Sequence, residues 1–390
     1  MLRPVPVSDR AWLLAALDDA LRGGAPVLPV AQALDESVVT ELTSTQLPDQ
    51  TAVLIRTSGS SGVSKTVALS AASLEASAAA THETLGGPGQ WLVTLPAHLI
   101  SGLQMLVRSR LAGTTPQFFD GPFDPSALLT ASERMDHERR YVSLVPVQLS
   151  RLLDLAERDR GAADALRGFA AVLVGGQATS VALRQRAHDL GVALRRSYGM
   201  TETAGGCVYD GVEIGDTRMR IRGGEVQLAG SCLALGYVGD EVLTAHHFID
   251  DEGERWYRTG DAGTLLGGML TVTGRLARVI ISGGVNVSLD EVERVAREVP
   301  GWQHTVALPA DHPEWGERGS LVREIPDSGE ADTPFDELRQ LIRGQLGAAA
   351  EPVWVNETPT LPRLPGGKPD VQGITRWVSE LRQTFRQSRD

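Results

Sequence analysis

Short apolar segments between residues 91 and 197 alternate with longer stretches of helical periodicity. The apolar segments predict strands at 91–95, 116–119, 141–145, 169–174 and 192–197, and the stretches between them predict helices such as 124–134, 146–158 and 179–190. Such alternation is the signature of a mostly parallel sheet with helices on its faces. The chain is therefore predicted to be an α/β protein whose ligands bind beyond the carboxyl ends of these strands.

A Ser/Gly-rich segment, Thr57 to Lys65, follows the apolar run Val53-Leu54-Ile55. Glycines let the backbone curl around an anion, hydroxyls add donors and Lys65 adds a positive charge, so the segment suits a polyphosphate. It is not a Walker A loop, because Ser64 precedes the lysine and Thr66–Leu69 predicts a strand rather than a helix. The prediction is a β-hairpin with a phosphate-binding tip, and its candidate ligands are Thr57, Ser58, Gly59, Ser60, Ser61, Gly62 and Lys65.

Composition argues against several classes of partner. The net charge is −12 and no lysine or arginine cluster occurs, which disfavours nucleic acid and anionic membranes. The two cysteines, Cys207 and Cys232, lack metal-ligand spacing and are expected to be buried thiols in a reducing compartment. The N-terminal segment contains prolines and does not have the pattern of a signal peptide. No apolar run reaches the roughly 18 residues of a membrane span. We therefore expect a soluble cytoplasmic protein.

Length and sequence texture divide the chain. A chain of 390 residues exceeds what one core usually holds, so two or more domains are expected. From Gly205, glycine turns separate short strands without helical periodicity, which predicts a small antiparallel barrel or sheet with strands at 217–222, 225–229 and 269–273. After Gly274-Arg275 the pattern becomes a compact α+β unit. We predict an N-terminal domain at 1–275 and a small, mobile C-terminal domain at 276–390.

Helix starts are marked at several points. Helices are predicted at 8–22, where leucines form one stripe before two glycines, and from Ser70, a candidate N-cap, to about Leu85. The capping-box spacing of Ser288 and Glu291 predicts a helix that ends at Val299. Thr333-Pro334 predicts another helix with Pro334 in its first position.

Three more motifs carry chemistry. Tyr198-Gly199-Met200-Thr201-Glu202 follows a predicted strand in a loop, where the aromatic ring can stack on a base and the carboxylate can hold Mg²⁺ on a phosphate. Tyr257–Asp261 follows the turn at 250–254, and its aspartate can accept hydrogen bonds from a ribose diol. Pro362–Lys368 places a lysine on a proline-rich loop, where it can neutralise charge on a carboxylate or a phosphorus atom.

Together, in this order, these segments resemble the adenylate-forming superfamily of acyl-CoA synthetases, luciferases and carrier-protein adenylation domains. The resemblance covers the chain from about Val53 to Lys368. Ser64 stands where the superfamily usually has proline. The usual hinge position, two residues after Arg275, is Ala277 instead of an acidic residue or lysine. The hinge is therefore not assigned from the sequence.

The resemblance implies ATP, Mg²⁺ and coenzyme A as ligands. For the phosphates of ATP and their metal, it implies that Thr57–Gly62 and Lys65 wrap the β- and γ-phosphates, that Thr201 contacts the α-phosphate and that Glu202 holds Mg²⁺. For the nucleoside, it implies that Tyr198 and Gly199 contact adenine and that Asp261 and Arg275 hold the ribose. For the acid and the thiol, it implies that Gly175, Gly176 and Gln177 wall the acyl and adenine pocket, that His98 gates the acyl pocket, that Lys368 bridges carboxylate and α-phosphate, and that Gly283 and Gly284 line the thiol tunnel.

The implied reaction is attack of a carboxylate on ATP, followed by thioester formation. The short region before the phosphate loop and the segments around His98 and Thr201 are similar to those of the o-succinylbenzoate–CoA ligase family of menaquinone biosynthesis. In that reading the aromatic carboxylate stays anionic, with His98, Ser101 and Gln104 as candidates to face it. Free coenzyme A is the expected acceptor, because the 390 residues contain no carrier domain.

Alternative functions share part of this pattern. A ligase for another aryl or short acyl acid would show every motif. A non-catalytic nucleotide sensor would keep the pocket but lose chemistry, which the intact Lys65, Glu202 and Lys368 disfavour. A P-loop kinase or ATPase would release ADP rather than AMP. The sequence leaves the oligomeric state open, with a homodimer as one option.

Overall fold

A computed structural model describes residues 2–31, 36–58, 64–325, 332–363 and 369–387 of the chain. Internal contacts divide the chain into two compact units. The first comprises Met1–Arg220, Gln227–Thr259 and Leu265–Leu270, and the second comprises Ile221–Val226, Gly260–Thr264 and Thr271–Asp390. Within the described residues, no helix is long and apolar enough to cross a bilayer.

The first part of the chain builds a sheet around the predicted hairpin. Its elements are β1 (Arg3–Pro6), α1 (Arg10–Leu21), β2 (Val27–Val30), α2 (Glu36–Ser44), β3 (Thr51–Ser58) and β4 (Ser64–Ser70). Strands β1, β2 and β3 run parallel, whereas β3 and β4 form the antiparallel hairpin. Strand β1 was not predicted because Pro4 and Pro6 interrupt it, and it lies at the sheet edge, where a missing N–H is tolerated.

The predicted alternation forms a seven-stranded sheet. Its elements are α3 (Ala71–Thr84), β5 (Gln90–Val93), α4 (Ile100–Leu111), β6 (Gln117–Phe118), α5 (Pro125–Ser132), β7 (Arg140–Leu144), α6 (Pro146–Ala156), α7 (Arg160–Arg167), β8 (Ala171–Gly175), α8 (Val181–Asp189), β9 (Leu194–Met200), β10 (Gly205–Tyr209) and β11 (Val212–Glu213). The strand order is β11-β10-β9-β8-β7-β5-β6, and the strands from β6 to β9 are parallel. The α/β fold class predicted from the sequence is confirmed.

The glycine-rich region that follows is richer in structure than predicted. Its elements are β12 (Arg218–Arg222), β13 (Glu225–Ala229), β14 (Gly236–Tyr237), α9 (Glu241–His247), β15 (Phe248–Asp251), β16 (Glu254–Leu266) and β17 (Met269–Arg275). The predicted barrel or sheet is a sheet of order β12-β13-β16-β15 with β17 paired to β16. The expectation of no helix here is wrong, since α9 is present. Asp240 caps this helix by accepting a hydrogen bond from the Leu243 amide.

Strand β14 leaves that region and joins the first sheet. It pairs antiparallel with β4, with Gly236 opposite Ala68 and Tyr237 opposite Val67. The short strand has no periodicity from which its pairing could be predicted. Its consequence is that Tyr237 lies beside the phosphate hairpin.

The C-terminal part of the chain is a four-stranded antiparallel sheet with a fifth, parallel strand and helices. Its elements are β18 (Val279–Ser282), β19 (Val285–Ser288), α10 (Leu289–Arg297), β20 (Thr305–His312), β21 (Gly316–Glu324), α11 (Phe335–Leu346), β22 (Val355–Thr358) and α12 (Val371–Gln387). The strand order is β19-β18-β21-β20, and β22 pairs with β21. The predicted cap is present, since the Ser288 side chain accepts from the Glu291 amide. Pro334 precedes the first turn of α11 rather than opening it.

Candidate active site

The phosphate hairpin brings its two ends together. Thr57 in β3 lies opposite Lys65 in β4, and the Thr57 hydroxyl donates to the Lys65 carbonyl over 3.4 Å. Ser58 and Ser64 are the last paired residues on either side. Gly59, Ser60, Ser61 and Gly62 lie outside the described residues, so their predicted roles stay predictions. The hairpin itself is as the sequence predicted.

One contact series joins this hairpin to the carboxylate of Glu202. The Lys65 ammonium lies 5.4 Å from the centre of the Tyr237 ring, within the range of a cation–π interaction. The Tyr237 hydroxyl donates a hydrogen bond of 2.8 Å to Glu202. Lys65, which is more than a hundred positions from the other two residues in sequence, therefore lies close to a phenol and a carboxylate.

A short 3₁₀ turn, Thr201–Thr203, holds Glu202 in place. The fully buried Thr203 hydroxyl accepts from the Met200 amide over 3.0 Å and donates to the Gly205 carbonyl over 2.8 Å. The Ala234 amide donates to the Glu202 carbonyl over 2.8 Å. The carboxylate consequently stands on a backbone that is fixed at both ends of the turn.

The adenine-contacting candidates Tyr198 and Gly199 belong to strand β9, not to a loop after it. The prediction of a loop was wrong because β9 continues to Met200, where it pairs with β10 across a sharp reversal. A Cβ atom on Gly199 would lie 2.0 Å from the Gly205 carbonyl oxygen, so only glycine fits there.

The candidate acyl-pocket wall, Gly175 to Gln177, lies at the carboxyl end of the adjacent strand β8. Gly175 pairs with Ser197 of β9, and Gly176 has a φ of +77°, which favours glycine. Gln177 is exposed. These residues thus flank the end of β9 that leads to Thr201, as expected for parallel neighbours.

His98 lies two residues before α4, and Gln104 lies in the second turn of that helix. His98 is half-buried, its Nδ1 atom is buried without a hydrogen-bond partner within the described residues, and burial lowers its pKa. Gln104 is buried, and its amide donates to the carbonyls of Ala204 over 2.7 Å and Leu74 over 3.2 Å. Both amide hydrogens of Gln104 are therefore used, which leaves none for a substrate carboxylate, whereas Ser101 is exposed.

The ribose candidates Asp261 and Arg275 form an ion pair of 2.9 Å within the second unit. Asp261 is buried in strand β16. The predicted turn at 250–254 joins β15 to β16, which pair antiparallel. The neighbouring Gly260 amide donates to Glu225 over 3.0 Å. The charged end of Asp261 is thus held by a guanidinium in this structure.

Gly283 and Gly284 form the two-residue turn between β18 and β19. Their φ values of +57° and +82° suit a two-residue hairpin turn, and a Cβ on Gly283 would lie 2.6 Å from the Trp315 ring. Beside the hinge position Ala277, the Arg278 guanidinium pairs with Asp290 and Glu293. Lys368 lies outside the described residues, and its role stays a prediction.

Two residues near the carboxylate were not identified from the sequence. Tyr237 contacts both Lys65 and Glu202, and the His247 ring packs against Tyr237 and Tyr257. Burial lowers the His247 pKa, while its Nδ1 contacts the Arg258 carbonyl. No local motif signalled either side chain, because their positions depend on the pairing of β14 with β4.

The class of protein follows from family and structure comparisons. The sequence profile described as AMP-binding enzyme matches residues 12–238, and the chain belongs to this family. It is 35% identical over 376 residues to the probable 2-succinylbenzoate–CoA ligase of Mycobacterium tuberculosis, covering 95% of this chain and 96% of that protein. The feruloyl-CoA synthase of an Amycolatopsis species is 29% identical over 346 residues, or 82% of this chain and 68% of the relative.

A solved structure shares the fold over most of the chain. The o-succinylbenzoate coenzyme A synthetase of Bacillus subtilis, in complex with AMP, superimposes with a TM-score of 0.72 and 25% sequence identity. The alignment covers 93% of this chain and 80% of that one. The two-domain fold of adenylate-forming enzymes is therefore the fold of this protein.

Proposed function

We propose that this protein is an ATP-dependent, AMP-forming ligase that converts o-succinylbenzoate and coenzyme A into o-succinylbenzoyl-CoA, a step of menaquinone biosynthesis. The observation that carries the proposal is the series Lys65–Tyr237–Glu202, which joins the phosphate hairpin to an acidic residue. The choice of acid is supported by the Mycobacterium relative, which this chain matches over 96% of its length.

In the first half-reaction, a carboxylate oxygen of the acid attacks the α-phosphorus of ATP and pyrophosphate leaves. Lys65 and the hydroxyls of the hairpin hold the β- and γ-phosphates, and Thr201 contacts the α-phosphate. Tyr198 and Gly199 position adenine, and Asp261 and Arg275 position the ribose. These side chains contribute orientation and charge neutralisation rather than covalent chemistry.

Glu202 fits the magnesium ion that such a reaction uses. Magnesium is commonly held by one or two carboxylates together with substrate phosphates and waters. Within the described residues, no group of three or more His, Cys, Asp and Glu side chains is arranged for a metal, in agreement with a site completed by the nucleotide. When bound, the metal would neutralise phosphate charge, and Tyr237 would orient the carboxylate that holds it.

In the second half-reaction, the sulfur of coenzyme A attacks the acyl carbonyl, the bond to AMP breaks and a thioester forms. We assign Lys368 to the first half-reaction and Gly283 and Gly284 to the thiol tunnel of the second. His98 would line the acyl pocket in its neutral form, because burial lowers its pKa. The domain at 276–390 would move between the two states, as lids do in other enzymes.

Lysine usage supports the two assigned lysines. The chain has 37 lysine and arginine residues, and Lys65 and Lys368 are its two lysines. A compact ammonium on a flexible stem can follow a phosphate group through a reaction, whereas a guanidinium has a fixed planar geometry. All other residues among these 37 are arginines, so the chain has lysine only at the two positions assigned to phosphoryl chemistry, where an ammonium is better suited than a guanidinium.

Tyr237→Phe should raise the Mg²⁺ concentration that gives a half-maximal rate by about 3- to 10-fold. The change removes the hydroxyl that donates to Glu202 and retains the ring that faces Lys65. A hydrogen bond to a charged group contributes roughly 1.5–3 kcal/mol, part of which water would restore at this half-buried site. Pyrophosphate exchange measured over a magnesium titration would test this expectation.

Tyr141→Phe is the matched control for that measurement. Its hydroxyl also donates within a partly buried site, to the carbonyls of Leu85 and Gly87. This variant should have a lower melting temperature and an unchanged magnesium dependence. An unchanged dependence in Tyr237→Phe would contradict the role assigned to the hydroxyl.

The proposed substrate is tested by acid-dependent pyrophosphate exchange. o-Succinylbenzoate should support exchange at least about 10²-fold faster than ferulate, benzoates or fatty acids. It carries a second carboxylate that these acids lack, and a pocket that pairs with this carboxylate would be left with an unpaired charge when one of them binds, which is costly. AMP should be the nucleotide product. The feruloyl-CoA synthase relative supports an aryl acid as the second candidate, and exchange with ferulate but not with o-succinylbenzoate would favour it.

The cellular location is also a proposal. Cys207 and Cys232 are both buried and are not joined in a disulfide, as expected in a reducing compartment. We propose the cytoplasm, where ATP and coenzyme A are available. The oligomeric state stays open.

A further inference from the structure

Helix α9 is short, yet two of its residues contact the same tyrosine. None of its seven side chains, all of which the structure describes, is fully buried, so the helix adds little to a hydrophobic core. The Thr244 hydroxyl accepts a hydrogen bond of 2.9 Å from the Tyr237 amide, and about one turn later the His247 ring packs against the Tyr237 ring. Helix α9 therefore contacts both the backbone and the ring of the residue that donates to Glu202.

One hydrogen bond fixes the orientation of the His247 ring. Its Nδ1 atom lies 2.9 Å from the Arg258 carbonyl oxygen. Since a carbonyl oxygen can only accept, Nδ1 carries the proton, and the ring cannot rotate without losing this bond. Burial lowers the pKa of His247, so at neutral pH the ring is neutral and packs as an aromatic group. The bond links the last residue of α9 to strand β16.

The Tyr237 ring is held by two aromatic neighbours. Its centre lies 5.8 Å from that of His247 at an interplanar angle of 69°, and 6.0 Å from that of Phe248 at 60°. Both neighbours also pack on Tyr257, with ring centres 5.9 Å and 4.9 Å apart. Aromatic pairs at such separations attract each other beyond the area that they bury. Tyr257 is itself buried, so it anchors the rings that hold Tyr237.

The backbone of Tyr237 does not by itself fix the position of its hydroxyl. Pairing of β14 with β4 and the hydrogen bond to Thr244 hold the main chain, but the side chain can still rotate about χ1 and χ2. In another rotamer the hydroxyl would lose its 2.8 Å hydrogen bond to Glu202. The ring contacts are therefore what select the rotamer that reaches the carboxylate.

We propose that His247 is a positioning residue for the magnesium site, whose ring holds Tyr237 in the rotamer that donates to Glu202. This inference rests on the proposed function, in which Glu202 binds Mg²⁺. Because His247 acts through Tyr237, its loss should weaken magnesium binding and leave the rate at saturating magnesium nearly unchanged.

His247→Ala should raise the Mg²⁺ concentration for a half-maximal exchange rate by about 3-fold, as expected for the loss of one aromatic contact, and should keep the saturated rate within about 2-fold of wild type. His247→Phe retains a ring but lacks the N–H that donates to Arg258. Both variants should melt at a lower temperature, whereas only His247→Ala should need more magnesium. A purely structural role would not separate these two effects.

His137→Ala is the matched control. His137 is also half-buried, and its Nδ1 atom lies 3.1 Å from the Arg139 carbonyl oxygen. It precedes β7 at the amino end of the parallel strands, whereas Glu202 follows β9 at their carboxyl end. This variant should keep the magnesium dependence of the wild type.

A double-mutant cycle tests whether the His247 ring acts through the Tyr237 hydroxyl. In the Tyr237→Phe background, His247→Ala should cause no further shift in magnesium dependence, because the hydroxyl that it positions is already gone. Shifts that multiply would overturn the inference. So would a His247→Phe enzyme that needs as much magnesium as His247→Ala.

The same variants are compared by calorimetric titration of ATP at several magnesium concentrations without any acid, so the result does not depend on which acid is the substrate. Wild-type magnesium dependence in His247→Ala, beside a raised requirement in Glu202→Gln, would overturn this inference alone. Wild-type dependence in both variants would overturn the assignment of Glu202 to the metal, and this inference with it.

Discussion

Lys368→Ala should slow adenylate formation by at least about 10²-fold and leave thioester formation from a supplied acyl-adenylate within a few-fold of wild type. The ammonium is assigned to the negative charge shared by the attacking carboxylate and the α-phosphate. Removing one such preorganised donor typically costs about 10²- to 10³-fold in rate. In the second half-reaction that charge has already been transferred to AMP, so the lysine has less to stabilise.

The two half-reactions are measured separately, by pyrophosphate exchange and by release of AMP from chemically prepared o-succinylbenzoyl-adenylate with coenzyme A. Arg343→Ala, on the exposed side of α11, controls for loss of a positive charge in the same part of the chain. It should leave both half-reactions unchanged. An equal loss of both in Lys368→Ala would contradict the assignment of Lys368 to adenylation alone.

Glu202→Gln is expected to lower the exchange rate by roughly 10²-fold at saturating ATP. The amide has the shape of the carboxylate and can still accept the hydrogen bond from Tyr237, so the turn should remain intact. It lacks the negative charge with which a hard cation is bound. The loss should therefore be in magnesium binding and rate, and not in folding.

A magnesium titration of the exchange reaction, together with circular dichroism of the variant, provides the measurement. Glu213→Gln, at an exposed position of β11, is the matched control and should behave as wild type. A Glu202→Gln enzyme with wild-type rate and magnesium dependence would show that the ion is held elsewhere.

The sequence predicted most of the sheet that supports the site because each strand has its own apolar run. Strands such as Arg140–Leu144 and Ala171–Gly175 are buried along nearly their whole length, and the helices between them carry clear periodicity. The missed elements lack such local signals. Strand β1 contains two prolines, and helix α9 has only seven residues and no buried side chain.

The parts of the site that lie in one contiguous motif could be predicted from the sequence. The parts that depend on the pairing of strands could not. Thr57 and Lys65 lie on a hairpin that its own residues specify. Tyr237 reaches Glu202 only because β14 adds to the first sheet, and no residue near Tyr237 encodes that choice. Similarly, the loop predicted at Tyr198 is a strand, since its partner β10 is specified by residues beyond the motif.

The buried Thr203 hydroxyl has a consequence for the speed of nucleotide capture. Because it bonds to the backbone at both ends of the Thr201–Thr203 turn, Glu202 stands on a rigid support before any nucleotide arrives. The entropy of ordering that segment is lost when the chain folds rather than when ATP binds. Association with the nucleotide should consequently follow a single diffusional phase, without a slow isomerisation of the acidic turn.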